Sequence, residues 1–219
     1  PAHAVLSSSE NTTPYECDGL TAYRQRPMCV VLPETYTHIQ DVLRTCHRLG
    51  VPVVARGAGT GLSGGAMPHA QGVTLSLAKF NKILAMDPVS RTARVQCGVR
   101  NLAISEAAAP LGLYYAPDPS SQIACTIGGN VAENSGGLHC LKYGLTTNNL
   151  LGVTLVLPGG EIVTLGGKCG AQGGLDLLGV VTGSEGLLGI VVEVVVKILR
   201  KAPVTRTAQK GARKGARSL

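Results

Sequence analysis

The chain has 219 residues, 44% of them hydrophobic and 15% charged, which is enough apolar material for one sizeable domain. Aromatic residues make up 3%, tryptophan is absent and glycine reaches 29, so the core is aliphatic and many backbone positions stay bare for tight loops and close approaches. The net charge of +7 would suggest a nucleic acid or an acidic surface as partner, yet Arg200, Lys201, Arg206, Lys210, Arg213, Lys214 and Arg217 carry all of it, and the rest of the chain is balanced at 13 basic and 13 acidic residues.

Residues 1–28 are polar and mixed and read as an arm over a domain surface. Cys29-Val30-Val31-Leu32-Pro33 is a short apolar strand stopped by proline. Ile39, Val42, Leu43 and Cys46 then fall at i, i+3, i+4 and i+7, the spacing of an amphipathic helix, with Thr35 or Thr37 to cap its start and Gly50 just past its end. Val51 to Ala55 is a buried strand, which completes a short βαβ unit. Strands are expected at Val73 to Leu77 and Thr92 to Cys97, and a helix from Asn101 to Leu111 ending at Gly112. Val153 to Leu157 and Glu161 to Leu165 flank Pro158-Gly159-Gly160 as a hairpin, and Gly189 to Leu199 is a long β-branched strand. The mixture is α+β. The repeat Lys210-Gly-Ala-Arg213, Lys214-Gly-Ala-Arg217 is low-complexity and basic, and residues 200–219 are expected to be a disordered tail. The seven cysteines, at positions 17, 29, 46, 97, 125, 140 and 169, contain no C-x-x-C pair, which points to a reducing compartment and away from zinc or a disulfide framework. No apolar run approaches the roughly 20 residues that span a bilayer. The expectation is a cytoplasmic protein that meets a membrane only through a complex.

Three glycine-rich stretches carry the chemistry. Arg56-Gly57-Ala58-Gly59-Thr60-Gly61-Leu62-Ser63-Gly64-Gly65 follows a buried strand, and its glycines let consecutive amides face one concavity that suits a diphosphate. Gly59 to Gly64 also spells G-x-G-x-x-G, the dinucleotide fingerprint, and Gly61 to Gly65 spells G-x-S-x-G, the nucleophile elbow with Ser63 as nucleophile. Both patterns need a helix starting inside the run, which Gly64-Gly65 and Pro68 oppose. A P-loop would need a following lysine, and a plain surface loop is the remaining reading. The second stretch, Pro117-Asp118-Pro119-Ser120-Ser121 followed by Thr126 to Gly137 and then Lys142-Tyr143-Gly144, reads as loops able to lie against a planar ligand. The third, Gly183-Ser184-Glu185-Gly186 through Gly189-Ile190, leads into the last strand. His38, His47, His69 and His139 read as ordinary surface or loop histidines, Tyr23 and Arg24 as part of an arm with a salt bridge, and no metal set emerges.

The motifs Arg56-Gly57-x-Gly59-Thr60-Gly61, Pro117-Asp118-Pro119, Thr126-Ile127-Gly128-Gly129-Asn130 with Asn134-x-Gly136-Gly137, and Gly183-Ser184-Glu185-Gly186-x-x-Gly189-Ile190 resemble, in order and spacing, the vanillyl-alcohol-oxidase type FAD-binding domain. Within it the chain looks most like the large subunit of glycolate oxidases and their D-lactate dehydrogenase relatives, over residues 14–199, and Tyr15 to Leu20 with Tyr23-Arg24 resembles the arm of the glycolate subunits. The resemblance implies a two-lobed domain over residues 29–199. It implies that Arg56, Gly57, Ala58, Gly59, Thr60, Gly61, Leu62 and Ser63 wrap the FAD diphosphate, mostly through backbone amides. Pro117, Asp118, Ser120, Thr126, Gly128, Gly129, Asn130, Ala132, Asn134, Gly136 and Gly137 would line the flavin and ribityl side, with Tyr143 nearby, and Glu185, Gly186 and Ile190 would hold the adenosine end. Relatives that attach FAD covalently commonly carry histidine in the place of Thr60, so the resemblance implies a non-covalent cofactor.

In the resembled enzymes a hydride passes from a 2-hydroxy acid to flavin N5, and the base and carboxylate-binding groups lie on a second domain. The resemblance stops at Leu199, so no catalytic residue is carried over. The expectation is a cofactor module of a glycolate or D-lactate dehydrogenase that meets its substrate only with that domain or a partner subunit. The alternative is a non-catalytic flavin subunit paired with a separate substrate-domain subunit, and an uncovered docking face would favour self-association.

Overall fold

The computed structural model describes residues 1–168 and 174–202. Its strands are β1 Val5–Leu6, β2 Cys29–Val31, β3 Val53–Arg56, β4 Val73–Ser76, β5 Ile83–Asp87, β6 Thr92–Gln96, β7 Leu113–Tyr114, β8 Leu150–Val156, β9 Ile162–Gly166, β10 Ile190–Lys197 and β11 Leu199–Arg200. They form two main sheets, one ordered β1-β2-β4-β3 and one ordered β5-β6-β10-β8-β9, with β7 and β11 as a separate ribbon. This is the α+β, two-lobed arrangement expected. β2, β4 and β3 run parallel because a helix crosses between β2 and β3, and the larger sheet is antiparallel throughout.

The crossover helix, Tyr36–Leu49, follows its sequence signals closely. The Thr35 side chain accepts from the His38 N–H, Ile39, Leu43 and Cys46 are buried, and Gly50 takes the left-handed conformation that ends the helix. The Pro158-Gly159-Gly160 hairpin forms as expected between β8 and β9.

Elsewhere the structure differs from the sequence reading. The arm residues 1–28 are not merely laid over the surface: β1 pairs antiparallel with β2 as an edge strand. The body runs past Leu199, since β11 pairs with β7 and the Lys201 N–H donates to the Gly112 carbonyl. The basic repeat and Cys169 lie outside the described residues. β5 carried no alternation, and it forms because β6 offers an open edge. The second glycine-rich stretch contains a helix, Ile127–Glu133, where a loop was expected. Its two glycines have separate causes. A Cβ on Gly128 would sit 2.7 Å from the Cys97 Cβ, so close packing just past the end of β6 requires glycine there, whereas a Cβ on Gly129 would make only an ordinary contact with Thr126 Oγ1 at 3.6 Å.

The lobes share one core, in which Ile39, Leu43, Leu75, Phe80, Val95, Val131, Val153 and Val194 are buried together. Across the seam Tyr36 stacks on Phe80 at 5.5 Å and donates its hydroxyl to Glu193, which also accepts from Arg94 Nε at 2.6 Å. Burial pushes the Glu193 carboxyl up, but the hydrogen bonds from Arg94 and Tyr36 and the charge of Arg94 outweigh it and hold the group below the usual carboxylate range. A depressed carboxyl contributes stability at pH above its unfolded value and loses that contribution as pH falls through the folded value. Glu193→Gln is therefore expected to cost about 2 kcal/mol at pH 7 and progressively less in acid, measured by urea denaturation across pH 3–7. A cost that does not vary with pH would contradict this assignment.

Candidate functional site

A cleft of about 300 Å³ opens between the lobes, at the lower end of the range typical of small-molecule sites. One wall is the run that leaves β3, and the opposite wall is the helix Ile127–Glu133 with the turn that enters β10. A second depression, lined in part by Asn81, Ile83 and Arg100, shares Gly57, Ala58 and Thr126 with its lining.

The first wall is built from unpaired backbone. Between Gly57 and Gly65 no backbone N–H donates to a backbone carbonyl among the described residues, and no helix begins before β4. That arrangement removes the helix which both the dinucleotide fingerprint and the nucleophile elbow require. Ser63 Oγ lies 3.4 Å from Glu133 Oε2 rather than beside a histidine. Free N–H groups in a concave run form an anion-binding nest. Gly59 sits at φ 69°, where an L side chain would be strained.

The second wall carries two adjacent glycines. Gly128, Gly129, Asn130, Ala132 and Glu133 line it, and a Cβ on Gly129 would meet nothing nearer than Thr126 Oγ1 at 3.6 Å. Asn130 is buried and donates to Asn101 Oδ1 at 2.8 Å, while Asn101 donates to the Pro117 carbonyl at 2.9 Å, so this amide pair ties the helix to the Pro117 segment. The Gly183–Gly189 turn docks on the end of the helix through N–H groups of Gly183 and Glu185 donating to Val131 and Ala132. Burial pushes the Cys97 thiol in this wall up to about 12.

Of the expected site residues, Gly57, Ala58, Gly59, Thr60, Gly61, Leu62, Thr126, Gly128, Gly129, Asn130, Ala132, Glu185, Gly186 and Ile190 converge on the cleft. Arg56, Ser63, Pro117, Asp118, Ser120, Asn134, Gly136, Gly137 and Tyr143 are not among its lining. Arg56 is buried and donates to the Cys17 carbonyl at 2.8 Å. Asp118 accepts from the His139 N–H and pairs with its ring at 2.7 Å. Asn134 caps the helix in the left-handed region and accepts from the Thr147 N–H. Gly136 packs against Leu145 and Gly137 against the Asp118 backbone. Tyr143 meets Tyr114 edge-on at 6.3 Å, and a hydrogen bond from Tyr114 holds its hydroxyl below the usual tyrosine value. Of the arm pair, Arg24 binds Glu16 at 3.1 Å, the salt bridge expected. Ser121, Cys125, Glu133 and Ser135, inside the expected Pro117 to Gly137 segment though not singled out in it, also line the cleft. Sequence reasoning missed Ala55, Leu77, Cys97 and Val191, apolar residues on or beside strands, and Ala66 just past the glycine run, none of them marked by a motif.

The groups present fit a dinucleotide: a nest of N–H groups for a diphosphate and, on the other wall, a glycine at 129 whose missing side chain leaves room for a ring. A family model described as "FAD binding domain" matches residues 27–166. The chain is 60% identical over 206 residues to the glycolate oxidase subunit GlcD of Escherichia coli (strain K12), which covers 94% of this chain and 41% of that protein. It is 42% identical to GlcD of Bacillus subtilis (strain 168), covering 88% of this chain and 41% of that protein, and 39% identical to a D-lactate dehydrogenase of Anaerostipes hadrus, covering 89% and 41%. The chain thus spans about two fifths of the length of the curated relatives it matches. Among solved structures, an alkyldihydroxyacetonephosphate synthase shares the fold with a TM-score of 0.79 at 24% identity, over 90% of this chain and 38% of that one. The matched segment contains both the nest and the glycine-bearing helix, and the chain belongs to the FAD binding domain family.

Proposed function

We propose that this chain is the FAD-binding part of an oxidoreductase acting on a 2-hydroxy acid of the glycolate or D-lactate class, and that it holds the cofactor without a covalent bond. The observation that carries the reading is a run of N–H groups from Gly57 to Gly65 without backbone partners among the described residues, most of which line one cleft together with Gly129. The names of the relatives support the substrate class. FAD supplies the two-electron acceptor for oxidising the carbon that bears the hydroxyl.

The chain's own residues do the binding and orienting. Amides of the Gly57–Gly65 run face the diphosphate, and Thr60 adds a hydroxyl where a linking histidine would stand in a covalent relative. Gly129 leaves the opposite wall open to a planar ring, and Glu185, Gly186 and Ile190 close the adenosine end. Lys, Arg and His are absent from the lining of the main cleft among the described residues, and Arg100 lines only the adjoining depression, so a substrate carboxylate finds no cation in the main cleft. Groups that hold the hydroxy acid and take its proton come, on this reading, from the part of the relatives' length that this chain does not match, or from a partner subunit as the word subunit in the GlcD name suggests. Leu138, Leu141, Leu175 and Leu187 are between 83% and 98% exposed and offer apolar surface for that contact.

Three outcomes are expected. Acid precipitation of the FAD-loaded chain leaves all flavin absorbance in the supernatant, whereas a yellow pellet would contradict the non-covalent reading. Gly129→Leu, whose Cβ has an ordinary contact with Thr126 Oγ1 and whose longer side chain would occupy the cleft, raises the FAD dissociation constant at least about tenfold while the cofactor-free protein still folds. An unchanged affinity would place the ring elsewhere. Anaerobic glycolate or D-lactate leaves the flavin of the isolated chain oxidised, and bleaching of its visible band would show that substrate-binding groups lie within these residues.

A further inference from the structure

A loop rich in glycine with unpaired amides has little of its own to hold its shape, because no ladder bonds fix it and glycine loses more conformational freedom on ordering than any other residue. Binding by such a loop is tight only if something else fixes it beforehand. The Ile127–Glu133 helix constrains one side. The other side is the arm.

The segment Tyr15 to Leu20 runs directly beneath the Arg56–Ser63 loop. Arg56 folds back under Gly59, so that a Cβ on Gly59 would collide with the guanidinium. From there Arg56 Nη1 donates to the Cys17 carbonyl at 2.8 Å, and the guanidinium lies 5.6 Å from the Tyr15 ring centre. Asp18 is 5% exposed, with one carboxylate oxygen accepting from the Leu20 N–H and the other without a hydrogen-bond partner among the described residues. Burial lowers the Arg56 pKa, and the Asp18 charge acts in the opposite direction. Gly19 completes the contact: a Cβ there would lie 2.7 Å from the Gly61 carbonyl oxygen and 2.8 Å from that of Thr60. Within a peptide unit the C=O and N–H point in opposite directions. Carbonyls of Thr60 and Gly61 turned toward Gly19 therefore send the N–H groups of Gly61 and Leu62 away from the arm. The loop between Glu16 and Gln25 is itself closed by the Gln25 N–H on the Glu16 carbonyl at 2.8 Å and by the Arg24–Glu16 pair.

We propose that Tyr15 to Leu20 is a strap belonging to the dinucleotide site, which sets the direction of the loop amides from below, and that Arg56 is a positioning residue acting through this strap rather than a phosphate ligand. The strap precedes the segment matched by the family model, 27–166, so the family match does not assign it. The inference rests on the FAD reading above.

The test is FAD affinity of the full chain and its variants by flavin fluorescence, with the melting temperature of each cofactor-free protein. Gly19→Ala, whose Cβ must displace the Thr60 and Gly61 carbonyls, and Arg56→Lys are expected to weaken FAD binding about tenfold or more while the cofactor-free protein still melts cooperatively at a somewhat lower temperature, and Tyr15→Phe, which keeps the ring over the guanidinium, is expected to bind like wild type. The double variant is expected to lose no more than the worse single one, because both act on one contact. Should Gly19→Ala fail to fold, Tyr15→Ala removes the ring without a clash and is expected to weaken FAD binding in the same way. Wild-type affinity in Gly19→Ala and Tyr15→Ala, with wild-type protein binding FAD, overturns the strap and leaves the FAD reading standing. Additive losses overturn the role given to Arg56. Failure of the wild-type chain to bind FAD overturns both.

Discussion

Backbone N–H groups are almost always paired in folded proteins, and leaving several in succession unpaired is tolerated only where water or a ligand meets them. From Gly57 to Gly65 this chain does so at the mouth of a cleft, and much of the surrounding structure follows from that constraint. Strand β3 must end at Arg56 so that the ladder does not consume the amides. Helix formation, which would pair them with the preceding carbonyls, must also be prevented, and closely spaced glycines with Pro68 accomplish it.

The opposite wall solves a complementary problem. A planar ligand needs a surface without side chains, yet that surface must be rigid. The helix Ile127–Glu133 supplies rigidity through Ile127 and Val131 in the shared core and through the buried Asn130–Asn101 pair, while Gly129 leaves its outer face bare. The seam beside it is held by Tyr36, Arg94 and Glu193, so the two walls belong to lobes that cannot separate without exposing a carboxylate and its partners. A cleft fixed in this way spends little binding energy on ordering the protein.

How much was legible depends on whether the cause was local. The helix Tyr36–Leu49 was readable to its caps because apolar spacing, Thr35 and Gly50 all act within a few turns. The hairpin was readable from Pro158-Gly159-Gly160 for the same reason. The Ile127–Glu133 helix was not, since two adjacent glycines oppose helix locally and only the packing of Gly128 on Cys97 reverses that preference. The motifs brought most of the cleft lining into view, because backbone and glycine carry it. For Arg56 the motif gives a place in the diphosphate loop, mostly through backbone amides, while the burial of its side chain against Cys17 and Tyr15 was not legible because it depends on contacts about 40 residues away in sequence. β5 and the strand in the arm pair at open sheet edges, a property of their neighbours rather than of their own residues.

The account stands or falls on whether the cleft takes FAD. The direct measurement is the visible spectrum of the purified chain after incubation with FAD and removal of free cofactor. The account predicts a flavin band equivalent to one FAD per chain. A protein that emerges colourless at every FAD concentration tried would contradict it.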